Sequence, residues 1–407
     1  MKILSISNNF LSLNNPNGKF CRNYLHSFKD DELSSFYISN DEKKENETIQ
    51  SFNYTDADLI AYIFHKKHKT TADSSSSEQK VNKKSPFIRF VRYVLWRLFF
   101  TKNKSFKEWL DSINPTHVVL TIGDNPYLFF LSRLIAKKRN CKLVLFCSEN
   151  YAFKKYNYLQ CKKRRSLSFL MFQHKLRVET IKTIKQSQLV IYNSEQLKTH
   201  YEVNVNHLNG VVVLPLSASK YARSIAKNIN NEIVYAGNLG VGRSETIVKF
   251  AEILNTITEK HKVVVYGFAT KEQQDLLAKT TNVEYKGIIT NDQLINVINN
   301  SWLSLHVESF DEYRKIDLEY AFSTKLSDLI ASNDRFFVFA PDCYVESKFF
   351  IEHLRNHIAL DDEELKTKMI DLVKNGTPFL NDDNTKIREK MNISKNADYI
   401  KELMTNL

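Results

Sequence analysis

Glu232-Ile233-Val234-Tyr235-Ala236-Gly237-Asn238-Leu239-Gly240-Val241-Gly242-Arg243 is the stretch from which the fold of this chain is read. A short apolar run ends in a glycine-rich turn, and a helical pattern over 244–258 follows. That order is the strand–turn–helix unit of a parallel α/β sheet. Three of the chain's nine glycines fall within six residues here. Glycines let backbone N–H groups come close to an anion, the helix start adds partial positive charge, and Arg243 adds a full one. An ordinary tight turn is the plainer reading of the same residues. The spacing does not match Gly-x-Gly-x-x-Gly, which argues against a dinucleotide cofactor.

The alternation continues in both directions from this point. Downstream, strands are expected at 262–267, 283–287, 302–307 and 335–340, with helices at 271–279, 292–299 and 324–332. Upstream, strands are expected at 2–7, 34–39, 117–121, 142–147, 189–193 and 211–216, with helices such as 126–138 and 166–185 between them. The polar segment 217–231 reads as a linker, and 41–47 and 70–84 as surface insertions too polar to fold alone. The expected architecture is α/β, with two Rossmann-like domains facing across a cleft. Residues 1–216 are expected to form the first domain and 231–383 the second. A C-terminal helix over 384–407, with Ile387, Met391, Ile400 and Leu403 on its apolar positions, is expected to pack back on the first domain. Ligands of open α/β sheets bind beyond the carboxyl ends of the strands.

Composition narrows the function classes. A chain of 407 residues exceeds one ordinary core, and 43% hydrophobic with 26% charged residues suits a globular protein. No stretch of about 18 apolar residues lacks charge, so no transmembrane helix is expected. Met1-Lys2-Ile3-Leu4-Ser5-Ile6-Ser7 is too short for a signal-peptide core and reads as a first strand. The five cysteines (Cys21, Cys141, Cys147, Cys161, Cys343) are scattered and form no Cys-x-x-Cys, which points to a reducing, cytoplasmic setting. The histidines show no metal-ligand spacing, so no metal is expected. A net charge of +12 calls for an anionic partner: nucleic acid, an anionic membrane, or phosphorylated small molecules. The chain carries no RRM, KH or zinc-finger signature, so nucleic acid is not expected.

A second motif is Ala321-Phe322-Ser323-Thr324-Lys325-Leu326-Ser327-Asp328-Leu329-Ile330-Ala331. Ser323 or Thr324 suits an N-cap, and Asp328 lies one turn beyond Thr324 on the same helix face. Lys325 opposes the helix dipole, and an anion bound at that end would resolve the conflict. A solvent-facing lysine is the plainer alternative.

With the strand end His306-Val307-Glu308-Ser309-Phe310, these two motifs resemble bacterial GT-B glycosyltransferases of the retaining group that builds surface polysaccharides (glycosyltransferase family four-like). The likeness continues through Phe337-Val338-Phe339-Ala340-Pro341, and in the first half through Asn193-Ser194-Glu195-Gln196-Leu197 and Leu214-Pro215. It covers most of the chain, strongly after Glu232 and weakly before His117. The resemblance implies transfer of a sugar from a nucleoside-diphosphate sugar to a glycan, lipid-linked, in capsule or cell-envelope polysaccharide biosynthesis. It implies that Lys325 and Arg243 hold the diphosphate and Asp328 the ribose, while Gly237, Asn238, Ser323 and Thr324 line the donor site. Glu308, with Arg243 and Lys325, would serve catalysis, and no cofactor or metal is implied. The sequence departs from the pattern in three places. Ser-Thr-Lys replaces Pro-Ser-Lys, Asp328 is one methylene shorter than the usual Glu, and Tyr320 stands where the first of two paired acids would fall. Glu308 or Glu319 would then take that acid's role. The family's double glycine after the first strand is reduced here to Asn17-Gly18.

On the acceptor side, Gly18 marks the turn after the first strand, and Asp124 and Glu149 follow strand ends. The carboxylates would orient an acceptor hydroxyl, with helix capping as the plainer role. Asp56-Ala57-Asp58 matches a metal-binding Asp-x-Asp only literally. Residues 86–104 interleave Arg89, Arg92, Arg97, Lys102 and Lys104 with aromatic residues, the pattern of an interfacial helix on an anionic leaflet. The plainer alternative is a buried helix with its arginines at the rim. Lys162-Lys163-Arg164-Arg165 would extend the same basic face. The expected location is therefore cytoplasmic, peripheral on the inner face of the plasma membrane. Two rival readings remain: a sugar-nucleotide epimerase or glycoside phosphorylase of the same shape, and a degenerate subunit that binds nucleotide or glycan without transferring it.

Overall fold

A computed structural model describes residues 1–12, 16–40, 48–64, 85–157, 159, 165–216, 229–320, 322–332, 335–376 and 384–407. The segments read as insertions at 41–47 and 70–84, most of the linker at 217–231, and Lys162-Lys163-Arg164 lie outside the described residues. The chain divides into two compact units, Met1–Val213 with Ala397–Leu407, and Leu214–Asn396.

The first unit runs β1 (Ile3–Ser7), α1 (Pro16–Tyr24), β2 (Leu33–Tyr37), β3 (Gln50–Asn53), α2 (Asp56–Ile63), α3 (Pro86–Phe99) and α4 (Lys104–Ile113). It continues through β4 (His117–Thr121), α5 (Pro126–Arg139), β5 (Lys142–Cys147), α6 (Leu167–Gln186), β6 (Leu189–Tyr192), α7 (Glu195–Val205) and β7 (Gly210–Val212). The strands form one parallel sheet in the order β3-β2-β1-β4-β5-β6-β7. The second unit runs β8 (Glu232–Ala236), α8 (Arg243–Asn255), β9 (Lys262–Tyr266), α9 (Lys271–Ala278), β10 (Val283–Gly287), α10 (Asn291–Asn300) and β11 (Leu303–Val307). Then come α11 (Glu312–Leu318), α12 (Thr324–Ser332), β12 (Phe336–Phe339), α13 (Val345–His353), β13 (Ile358–Ala359), α14 (Asp362–Asn375), α15 (Asn384–Lys390) and α16 (Ile393–Thr405). Its parallel sheet has the order β10-β9-β8-β11-β12-β13.

The strands are continuous apolar runs because helices cover both faces of a parallel sheet. Val263-Val264-Val265 and Phe336-Phe337-Val338-Phe339 are almost wholly inaccessible. One core of the second unit joins Ile233, Tyr235, Leu305 and Phe339 to α8 and α14 through Ile247, Phe250, Leu365 and Met369. On the opposite face Leu326, Ile330, Val338 and Phe350 pack with Ile387 and Met391. The two strands added by the structure, β3 and β13, lie at sheet edges. Each is four residues or fewer and only β13 is fully buried, so neither carries a strong apolar signal.

The C-terminal region expected as one helix is two. Ile387 and Met391 join the core of the second unit. The Met404 carbonyl oxygen lies 3.0 Å from His117 Nε2, and Lys401 donates to the Ser27 carbonyl, both within the first unit.

In the second sheet the strand order reverses between β8 and β11. Crossovers leave in opposite directions there, so the loops beyond these two strands part and leave room for a ligand. Those loops are Gly237–Gly242 and 308–311.

Candidate active site

Backbone geometry shapes the loop after β8. Gly237 donates its N–H to the Tyr266 carbonyl. A Cβ on Gly237 would overlap the Lys325 ammonium, and a Cβ on Gly267 would overlap the Gly237 carbonyl. Asn238 Oδ1 accepts from the Gly240 N–H at 2.8 Å and holds the turn closed. Val241 and Gly242 then take left-handed conformations, with φ of 54° and 81°, and Gly242 caps α8. A β-branched residue at positive φ is strained by about 1–3 kcal/mol and persists only where its surroundings enforce it.

Arg243 opens α8 and reaches across to β11. Its Nε and Nη2 donate to the two carboxylate oxygens of Glu308 at 3.0 and 2.6 Å, a bidentate pair. Both side chains are nearly buried, at 13% and 4% exposure. Burial opposes ionisation of Glu308, but the Arg243 guanidinium and the neighbouring His306 outweigh it and hold the carboxyl below its usual range. Behind this pair, His306 Nε2 lies 3.0 Å from Glu346 Oε1 and 3.4 Å from Glu308 Oε1. Burial alone would push the imidazole pKa down; the Glu346 and Glu308 carboxylates reverse that and raise it. The donor atoms of His306, Glu308 and Glu346 lie within 4.8 Å of one another, a spacing that a metal ion would also accept. Arg243 already neutralises Glu308, and Glu346 Oε2 accepts the Ser323 N–H. The donor set therefore suits a protonated imidazole between two carboxylates better than a cation ligated by all three.

Lys325 stands in the first turn of α12, which has no acidic residue there. It is not the solvent-facing lysine of the plainer reading. Its Nζ is buried, has no hydrogen-bond partner among the described residues, and lies 5.4 Å from the centre of the Tyr235 ring. Burial, reinforced by repulsion from Arg243, lowers its pKa to about 7, against the partial support of Glu308 and Glu346. A buried charge that lacks its partner costs roughly 3–5 kcal/mol. With Asp328, Ala236, His306, Leu294 and Ile298, Lys325 lines a cavity of about 40 Å³.

Of the predicted donor-side residues, Gly237, Asn238 and Glu308 fall on the two loops at the reversal point, Arg243 opens α8, and Lys325 and Asp328 lie in the first half of α12. Ser323 sits just before that helix, where its N–H bonds to Glu346 at 3.2 Å, and Thr324 is the first helical residue. Arg243, expected as the second diphosphate cation, has its Nε and Nη2 engaged by Glu308. Sequence reasoning missed Gly267 and Glu346 altogether, and quoted Tyr235 and His306 without giving either a role. His306 and Glu308 alternate on one strand face, which was the available signal.

The residues expected on the acceptor side lie in the first unit. Asp124 forms an ion pair with Arg89, and Asn125 is the residue that caps α5, through the Tyr127 N–H. Asp124 is thus neither the cap nor an unengaged carboxylate. Glu149 is half-buried after β5, and its carbonyl accepts from Tyr201. Gly18 lies in α1, where a Cβ would overlap the Phe10 carbonyl, so it serves the close approach of α1 to the chain after β1. Asp56 pairs with Arg92 and Trp96, and Asp58 forms a capping box with Thr55, so the literal Asp-x-Asp is structural. In the helix expected at a membrane interface, 86–104, the arginines are engaged within the unit. Arg89 and Arg92 are spent on Asp124 and Asp56, and Arg97 stacks on Phe130.

Neither a protein-family model nor a curated protein matches the sequence. Solved structures do match the fold along its length. The HepE protein of Anabaena in complex with UDP-glucose aligns with a TM-score of 0.66 at 12% identity, covering 100% of both chains. The UDP-forming α,α-trehalose-phosphate synthase of Burkholderia xenovorans in complex with glucose-6-phosphate aligns at 0.64 and 12%, again covering 100% of both. The E. coli protein bound with UDP-2-fluoro glucose aligns at 0.62 and 11%, covering 100% of this chain and 99% of that one. The fold is that of the GT-B glycosyltransferases, two Rossmann-like α/β units.

Proposed function

We propose that this protein is a glycosyltransferase that takes a sugar from a nucleoside-diphosphate sugar. The observation that carries this reading is the buried, unpartnered Lys325 ammonium at the start of α12, beside Gly237 at the reversal point of the sheet. Such a group needs an anion, and helix dipole, lysine and glycine turn all favour one at the same place. Similarly folded structures hold UDP-glucose and a fluorinated UDP-glucose, which supports a nucleotide sugar as that anion.

In this reading Lys325 and the α12 start bind the diphosphate and stabilise the charge that develops on it as the glycosidic bond breaks. Asp328, one turn on and lining the same cavity, takes the ribose hydroxyls. Glu308 orients Arg243, so Arg243 presents a neutralised, fixed donor rather than a second free cation. Catalysis needs no metal, and the outcome is retention at the anomeric carbon. The acceptor is a lipid-linked glycan of the cell surface, met at the inner face of an anionic membrane. Exposed Phe87 and Ile88 on α3, with Leu167, Leu170 and Met171 on α6, support that contact. Arg89 lies 6.0 Å from the Phe172 ring and Tyr93 bonds Glu179, so the two helices run alongside with their first turns together.

The test is thermal unfolding against UDP-, GDP-, ADP-, CMP- and dTDP-sugars, with and without EDTA. One class should raise the melting temperature, by about 2.7 kcal/mol of stability at a hundredfold excess over Kd. The shift should survive EDTA and vanish in Lys325→Glu; no shift with any nucleotide would sink the reading. A second reading is a binding subunit without transfer, favoured by Tyr320 in place of an acid and by the full engagement of Glu308. Binding without release of nucleotide from any sugar donor would favour it.

A further inference from the structure

Among the described residues, the second unit buries four charges in one continuous line. Arg243 holds both oxygens of Glu308, Glu308 lies 3.4 Å from His306, and His306 lies 3.0 Å from Glu346. Glu346 Oε2 then accepts the Ser323 N–H at 3.2 Å, at the entrance to α12. The line passes through four elements: the start of α8, the end of β11, the first turn of α13 and the start of α12. His306 and Glu346 are 1% and 2% exposed, so the line is shielded from bulk solvent.

We propose that His306 and Glu346 are positioning residues of the anion site, fixing the start of α12, and with it Lys325, against the Gly237 turn. This rests on the donor-binding reading above. A buried ion network is a weak way to stabilise a fold, since well-packed apolar side chains of the same volume do as well or better. Its ends are informative instead. One end is Arg243, which borders the glycine turn, and the other is the backbone that delivers Lys325. Apolar contacts alone would let α12 slide along its neighbours. A carboxylate that bonds a specific N–H and a specific imidazole fixes one position. Every charge in the line has an opposite neighbour, and Glu346 also supports the Lys325 ammonium electrostatically.

The decisive variant is Glu346→Gln, which keeps the shape and removes the charge. UDP, the nucleotide of the similarly folded complexes, serves as probe by calorimetry, with GDP, ADP, CMP and dTDP as further probes. Affinity should fall at least about tenfold, while the melting temperature moves by only a few degrees. In protein labelled with ¹³C at the lysine ε-carbon, the Lys325 titration should move to lower pH, because the Glu346 charge that supports the ammonium is lost. If Glu346→Gln does not fold, His306→Gln is judged by the loss of UDP affinity. Unchanged affinity in a folded variant overturns the proposal, as does weaker binding of Glu346→Gln with an unmoved Lys325 titration. Failure of the wild-type protein to bind any of these nucleotides overturns the donor-site reading, and this proposal with it.

Discussion

Lys325 changes character between the sequence and the fold. In the sequence it is one of 58 basic residues, notable only for opposing a helix dipole. In the structure it is a buried ammonium without an acceptor, with a pKa near 7. An anion at that site would favour the charged form, so the complex holds the proton more tightly than the free protein does. Donor affinity should therefore be greatest below pH 7. It should weaken as pH rises through 7 and beyond, by up to about tenfold per unit, until the bound ammonium itself titrates. Calorimetry at pH 8 in buffers of different ionisation heat should show uptake of close to one proton on binding. A pH-independent Kd between 6 and 9 would contradict this. The neighbouring Arg243–Glu308 pair was half legible. Both residues were named as site residues, but only the fold shows that they neutralise each other. Their separation of 65 positions is closed by the pairing of β8 with β11.

At the scale of elements, the strands were legible and the caps partly so. Buried parallel strands are dense apolar runs, and most of the expected spans agree with the observed ones to within two residues. The edge strands β3 and β13 were missed because so little of the sheet's burial falls on them. Loop geometry was the hardest to foresee. Gly242 and Gly287 both adopt positive φ, at 81° and 76°, yet a Cβ on Gly242 meets Ser309 while one on Gly287 meets nothing within 4 Å. Gly287→Ala should therefore cost only the left-handed backbone term, about 1–2 kcal/mol. Gly242→Ala should cost more, because Ser309 is fixed by bonds to Asp311 N–H and Tyr344 Oη. Urea unfolding of the two variants checks the order. Donor binding should suffer only in Gly242→Ala, since that residue shapes the start of α8.

Across the whole molecule, the surplus of twelve positive charges is the property most readily read from composition and least readily placed. The expected basic helix over 86–104 uses its arginines internally, and what α3 and α6 expose together at their first turns is apolar. Exposed Arg165 precedes α6, and neither helix has an acidic residue in its first turn. Paired Leu167→Glu and Met171→Glu substitutions in the full chain should reduce sedimentation with phosphatidylglycerol vesicles and leave nucleotide binding intact. Added salt should weaken the wild-type contact, because each lysine or arginine near an anionic surface contributes only roughly 1 kcal/mol and is screened. Equal binding of both proteins to the vesicles would remove this face from consideration. The α/β class, the repetition of strand–helix units and the motifs at 237–243 and 323–328 are legible in the sequence, because hydrophobic period and glycine or cap chemistry are local properties. Which charges meet is set by the fold. Glu346 finds His306 across 40 positions, Asp124 is drawn to Arg89, and Lys325 loses its solvent, because partners between elements depend on sheet order and packing rather than on spacing along the chain.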